Sequence, residues 1–259
     1  MVKKYGKRLY AFLVFLFLYA PIIVLIVFSF NDSKSRANWN GFTLKLYIEL
    51  FKDTSIMKSL YYTLLVGVLS AFISTVLGTL AAFGIHSMKG FKRKLLINLN
   101  YLPVLNADIV TAVGLMILFN FIGLQLGFLS MLLAHVTFCT PYVVLSVLPR
   151  LKQLPKNTME AALDLGATPF YALTRVIIPQ IKPGIIAGAL MAFSLSIDDF
   201  VISFFTTGQG VTNLSISIFS MARRGINPKI NALSTLMFLA VIIILLIVNR
   251  KASNEGGKK

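Results

Sequence analysis

Residues 160–179 read EAALDLGATPFYALTRVIIP. They sit in the one long polar-flanked segment between apolar runs, and how they fold decides what the remaining chain is for. The punctuation is that of two short helices. Asn157 stands at a capping position with Glu160 three residues on, the spacing of a capping box. A helix over TMEAALDL stops at Gly166, the residue type favoured just past a helix C-terminus. Thr168 and Pro169 then give a cap followed by proline at the first helical position. The second helix is expected to end before Pro179. Ala161, Ala162, Leu165, Phe170, Leu173 and Ile177 supply apolar contacts. Such a segment is either a loop packed against a membrane surface or a knob that docks a partner.

Outward from that segment the chain is apolar. Of its 259 residues 57% are hydrophobic, only 13% are charged, and the mean hydropathy is +0.81. A soluble domain sits nearer 45–50% apolar and about 25% charged. A bilayer core of about 30 Å needs about 20 apolar residues in a helix, and six stretches qualify, at about 9–30, 60–86, 95–122, 127–149, 184–207 and 229–249. The expected fold is therefore all-α, a single transmembrane domain over 1–259 with six spans. The apolar stretch after MVKKYGKR is longer than the core of a usual signal peptide and no A-x-A site follows it, so it reads as a retained first helix. Pro21 is expected to kink it.

The formal charge of +16 would suggest nucleic-acid binding in a soluble protein. Here the basic residues fall between apolar runs, which excludes that class. With the N-terminus inside, the inner segments 1–8, 87–94, 150–183 and 250–259 hold 17 of the 25 Lys and Arg. This bias places both termini in the cytoplasm. It also makes 150–183 a cytoplasmic loop. In the outer segment, Trp39, Phe42, Leu46, Tyr47, Leu50 and Phe51 are expected to form one apolar face of a short helix, lying on the outer membrane surface or touching an external partner. The tail NRKASNEGGKK reads as a short disordered end.

Carboxylates inside the spans are the conspicuous expense, since each costs about 2.5–3.5 kcal/mol or more in a bilayer. Three qualify: Asp108, Asp198 and Asp199. No Lys or Arg lies between Arg8 and Lys34, Lys94 and Arg150, or Lys182 and Arg223, so every charge expected within the membrane is negative. A pathway lined this way suits a di- or trication, whose shed water spaced carboxylates can replace. Adjacent helical residues point 100° apart, so Asp198 and Asp199 cannot share one direction. Ser196 and Ser203 share a face with Asp199, and Ser194 shares one with Asp198. One carboxylate lines the path while the other caps a helix break or pairs with a partner. Asp108 follows Pro103 and Asn106, which suggest a break in the third span. It either caps the second half-helix or contacts the substrate. Tyr142, Phe200 and Phe204 could stack on a cation or simply pack.

Catalytic signatures are missing. There is no G-x-x-x-x-G-K-[ST], so ATP hydrolysis, if it drives the process, needs another subunit. His86 and His135 have no metal-ligand spacing around them and read as structural. The lone Cys139 reads as a small buried apolar residue.

The residues 160–179 closely resemble the EAA motif of permease subunits of bacterial ABC importers, in Glu160-Ala161-Ala162, Gly166 and Ile178-Pro179. YAPIIVLIVFSFNDS, FTLKLYIELFKD, NADIVTAVGLMILF, HVTFCTPYVV, SLSIDDFVISFFTTG and PKINALSTL extend the resemblance over nearly the whole chain, toward the spermidine/putrescine importers. The resemblance implies the type I importer (MetI-like) permease fold and alternating access in the bacterial cytoplasmic membrane. It implies that Glu160, Ala161, Ala162, Gly166 and Pro179 belong to a coupling loop seated on an ATPase, and that Asp108, Ser196, Asp198 and Asp199 serve the substrate pathway. Expected partners are a second homologous permease, two ATPase subunits, an extracytoplasmic polyamine-binding protein and membrane lipid, with no nucleic acid. ATP and Mg would sit on the ATPase and no cofactor on this chain. Alternatives are a permease for another cationic or metal solute, a proton-coupled secondary transporter using the acids as relays, or a scaffold subunit.

Overall fold

The computed structural model describes residues 2–32, 38–155, 157–224, 227–240 and 242, with side chains from residue 6 onward. The order of helices is α1 Val2–Phe28, α2 Lys45–Lys52, α3 Thr54–Ser87, α4 Gly90–Leu105, α5 Asp108–Phe121, α6 Phe128–Gln153, α7 Thr158–Asp164, α8 Pro169–Tyr171, a π-type turn Ala172–Ile177, α9 Ile178–Asp198, α10 Val201–Thr206 and α11 Leu214–Arg223. A further apolar helix covers Lys229–Ala240. Among the described residues the only extended pairing is an isolated bridge between Asn31 and Phe42. Four helices are long and apolar enough to cross a membrane, or five if α4 and α5 count as one broken span. Most of the expected sixth span beyond 240, and the tail, lie outside the described residues.

The chain divides into two compact units. In the unit made of Met1–Met57 and Ile218–Lys259, α1 carries exposed apolar side chains all round, Phe17 at 81% among them. A helix apolar on every face is suited to lipid. Trp39 and Phe42 do not join the face of α2, because the helix begins only at Lys45. They pack instead on the end of α1 and the turn after it: Trp39 edge-on to Phe28, and Phe42 stacked on Phe30 at 5.2 Å. Asn31, fully buried, ties this corner through its side chain to Asn38 O and Asn40 N.

In the unit Lys58–Ser217, α6 is the axis, with a buried row from Ser130 to Leu151. Small residues let the flanking helices come close. Val143 of α6 wedges between α3 and α9. A Cβ at Gly78 would lie 2.7 Å from Val143 Cβ, and one at Gly188 3.2 Å from Val143 Cα. One helical turn before Gly188, a Cβ at Gly184 would meet the Ser146 carbonyl at 3.0 Å.

Two expected spans are broken. The third is α4 and α5, bent by 105°, with the break at 106–107 where Pro103 and Asn106 suggested one. The fifth begins earlier and ends earlier than 184–207: an apolar helix runs Pro169–Asp198, then stops before α10. Pro179 thus does not end the second loop helix. Its ring would clash with the carbonyl of residue 175 in a regular helix. The preceding turn widens to i→i−5 bonding, with Ile178 N donating to Leu173 O. The Gln180 amide covers the Val176 carbonyl at 2.9 Å.

Candidate functional site

The break between α9 and α10 separates the two aspartates. Asp198, the last residue of α9, is exposed, and among the described residues no hydrogen bond or ion pair holds its carboxylate. Asp199 has left the helix at ψ 122°, and only 6% of its side chain is exposed. Its Oδ1 accepts the backbone N–H of Ile202 at 3.1 Å. Its Oδ2 accepts the N–H of Ser203 at 2.7 Å and the Ser203 hydroxyl at 2.9 Å. Asp199 therefore satisfies the first turn of α10, whose donors have no intrahelical partner. Of the two acids, Asp199 caps the helix break and Asp198 stays exposed.

Behind Asp199 lies a buried polar chain centred on His135 of α6. The ring is 1% exposed and is hydrogen-bonded at both nitrogens, Nδ1 to Ser196 Oγ at 2.7 Å and Nε2 to Ser203 Oγ at 2.9 Å. A serine hydroxyl has one proton. Ser203 gives its proton to Asp199 and already accepts from Asn213 Nδ2 at 2.7 Å, so the His135 Nε2 must be a donor. In the neutral ring Nδ1 then accepts from Ser196, which in turn accepts from Ser70 of α3 at 3.0 Å. Donors run from Ser70 through Ser196, His135 and Ser203 to a carboxylate, and every link joins a different helix or turn.

Asn213 closes the cluster. Its amide donates to the Asp199 carbonyl at 3.1 Å and to Ser203, while its Oδ1 accepts the Ile216 N–H at the start of α11. Leu214 N donates to Thr63 of α3 at 2.7 Å. Ser196, expected on the pathway, is 2% exposed and hydrogen-bonded to His135 and Ser70. Its face is shared with Ser203 and Asp199 as anticipated, but all three point inward. Ser194 shares exposure with Asp198.

Asp108 is the first residue of α5, exposed, and within electrostatic range of Tyr142. Tyr142 stands edge-on to Phe138, and Phe200 is tilted against Phe204 at 5.4 Å, so these rings pack on neighbours. Cys139 is fully buried and bonds the Ala192 carbonyl at 3.4 Å. Among the described residues no group of three or more His, Cys, Asp or Glu is arranged to hold a metal ion.

The 150–183 loop is built as its glycine suggested. Gly166 has φ +86°. Its N–H reaches Leu163 O at 2.9 Å, and the Ala167 N–H reaches Ala162 O at 3.1 Å, the paired bonds of a Schellman stop. Thr168 caps the next helix by accepting the Tyr171 N–H at 3.3 Å, with Pro169 at its start. The capping box at Asn157 does not form. Asn157 has ψ 10° rather than an extended backbone, and its side chain makes no cap bond. Glu160 and Ala161 are exposed and Ala162 is buried. Leu165 is 90% exposed, Phe170 76% and Tyr171 56%. Leu165 and Tyr171 flank an open hollow of about 470 Å³ that also touches Ala162 and Gly166. Pro179 is exposed within the helix that carries the loop.

Sequence reasoning passed over Asn213, and it took His135 only as structural and Ser203 only as sharing a face with Asp199. The only signal for them was polarity itself, a histidine and an asparagine among apolar neighbours, which without a partner in view is uninformative.

Comparison with known proteins bears on the whole chain. A family model described as the binding-protein-dependent transport system inner membrane component matches residues 1–250. The spermidine/putrescine transport system permease protein PotC of Shigella flexneri is 38% identical over 248 residues, covering 94% of each chain. The putrescine transport system permease protein PotI of Escherichia coli K12 is 39% identical over 242 residues, 89% of this chain and 84% of the relative. Among solved structures, a bacterial ABC transporter involved in import of the acidic polysaccharide alginate superposes with TM-score 0.78 at 14% identity over 96% of each chain. The MetNI methionine ABC transporter gives 0.60 at 17% identity over 77% of this chain and 93% of that one.

Proposed function

This chain belongs to the family of binding-protein-dependent transport system inner membrane components, and from that membership we propose that it carries polyamines, spermidine and putrescine, across the bacterial cytoplasmic membrane as one permease of an ATP-driven importer. Members of the family are transporter subunits and not enzymes; ATP hydrolysis belongs to a separate subunit. Permeases of this class work with an ATPase and a periplasmic binding protein, and the alginate transporter has been solved with its substrate-bound periplasmic protein. For this chain the partners are a second homologous permease, two ATPase subunits holding ATP and Mg, and an external polyamine-binding protein. Both termini face the cytoplasm, on the distribution of Lys and Arg. Family membership sets aside the proton-coupled carrier.

The observation that carries the mechanism is the split at the α9–α10 break. Asp199 is consumed by hydrogen bonds, whereas Asp198 is exposed and unengaged. Asp198 is the pathway carboxylate, offering its charge to an ammonium group as the cation sheds water. Asp108, also exposed, is a second station. Glu160 to Ala162 and Gly166 form the knob that meets the ATPase. Pro169–Asp198 is one apolar helix of 30 residues, about 45 Å long at 1.5 Å per residue. It joins the knob directly to Asp198, so displacement of the knob by ATPase closure is delivered to the pathway carboxylate as a rigid-body movement.

The test is uptake of labelled spermidine and putrescine in cells lacking their own import, expressing this chain with its co-encoded partners. Wild type takes up polyamine. Asp198→Asn lowers uptake about tenfold or more at equal membrane level, and Asp108→Asn lowers it less. An assembled transporter whose ATPase is active but which moves no polyamine makes the cargo another cationic solute. Full uptake by Asp198→Asn removes that residue from the path.

A further inference from the structure

A second hollow, of about 580 Å³, lies between the ends of α3 and α6, the first turn of α4, and the coupling loop. Its walls are apolar on both sides, Phe83 and Leu151 from the bundle, Met159 and Leu173 from the loop. Three basic side chains line it: His86, Arg93 and Lys152. No Asp or Glu is among its lining residues. Arg93 and Lys152 lie within electrostatic range of the His86 ring.

The local structure makes Arg93 costly as it stands. Arg93 lies in the first turn of α4 beside Lys92 and Lys94, and that turn contains no acid. The helix dipole disfavours cations there. Lys89 at the N-cap contributes no side-chain bond to the free N–H groups. Lys92 and Lys94 are exposed to solvent, but Arg93 is half-buried toward the hollow. A basic, apolar-walled hollow where the spans end is matched by an amphipathic anion, one with a phosphate head and hydrocarbon behind it.

We propose that this hollow binds the phosphate headgroup of an anionic phospholipid, which thereby bridges the coupling loop to the transmembrane bundle. Its place at the cytoplasmic leaflet rests on the orientation given above. An occupant touches Met159 and Leu173 on one side and Phe83 on the other, so the lipid stiffens the joint through which the knob moves.

The experiment is native mass spectrometry of the full-length chain purified in neutral detergent, supplied with phosphatidylglycerol or with phosphatidylcholine of the same chains. Wild type retains phosphatidylglycerol preferentially. Arg93→Gln with Lys152→Gln lowers that preference about thirtyfold, about fivefold for each cation removed. The charge-conserving pair Arg93→Lys with Lys152→Arg keeps it, which guards against simple misfolding, and Lys92→Gln with Lys94→Gln keeps it too. An equal loss with the Lys92 and Lys94 pair makes the effect a diffuse surface charge and overturns the site. Saturable binding of inorganic phosphate that displaces phosphatidylglycerol makes the ligand a soluble anion and overturns the lipid assignment. The measurement needs no transport, so failure of polyamine uptake with phosphatidylglycerol retained refutes the cargo and leaves the lipid site standing.

Discussion

At the base of the Pro169–Asp198 helix, Leu165, Phe170 and Tyr171 are held out in solvent while the backbone around Gly166 satisfies itself. At the other end of the same helix, Ser196, Asp199, His135, Ser203 and Asn213 are drawn inward and spend their polar groups on one another. Both ends are breaks in a helix, yet apolar groups face out at one and polar groups face in at the other. The difference separates a surface left uncovered in this chain from a joint whose polar groups satisfy one another. Exposed apolar side chains contribute nothing to this chain alone, and their area becomes useful only when something covers them. Buried polar groups stabilise only as a complete set, because each one left unpaired costs about 1–3 kcal/mol.

The largest test of this contrast is at the buried end. Asp199→Ala orphans the N–H groups of Ile202 and Ser203 and the Ser203 hydroxyl. We expect a loss of several kcal/mol, read as a lower melting temperature of the detergent-solubilised protein and a lower membrane level. Unchanged melting with abolished uptake would break the comparison and move Asp199 to the path. At the exposed end the expectation reverses. Gly166→Val places a β-branched residue at φ +86°, a strain of about 1–2 kcal/mol confined to the loop. Melting stays near wild type, while polyamine-stimulated ATP hydrolysis by the assembled transporter falls. Leu165→Ser sharpens this, leaving stability untouched and weakening co-purification with the ATPase.

The smallest effect lies in the other unit. Lys229 Nζ sits 3.0 Å from Asp53 Oδ2, and this hydrogen bond, with N–H groups of Ile56 and Ser55, holds the Asp53 carboxyl below its ordinary range. A depressed carboxyl stabilises the fold above its unfolded pKa and loses that contribution as pH falls through the folded value. Wild type should exceed Asp53→Asn by about 0.2–1 kcal/mol at neutral pH, with the gap closing below about pH 4. A gap unchanged on acidification would refute the ion pair.

Much of this was legible in local chemistry. Gly166, Thr168 and Pro169 marked their turn because their conformational preferences are set within three or four residues. Pro103 and Asn106 marked the break before Asp108 for the same reason. Pro179 misled: its missing N–H argues for a stop, but a widened turn and the Gln180 amide accommodate it. Asn157 misled as well, because a capping box needs an extended backbone as well as the right spacing.

The order of apolar runs, the bias of Lys and Arg and the EAA loop are properties of residues near one another in the chain, and the sequence by itself determined from them a helical membrane permease. Which of two adjacent aspartates stays exposed is another matter. It depends on His135 arriving from 64 residues upstream and Asn213 from 14 downstream to hold Asp199 inside. Hydrogen bonds between such distant residues have no local signature, so only the tertiary structure decided that Asp198 is the carboxylate left free.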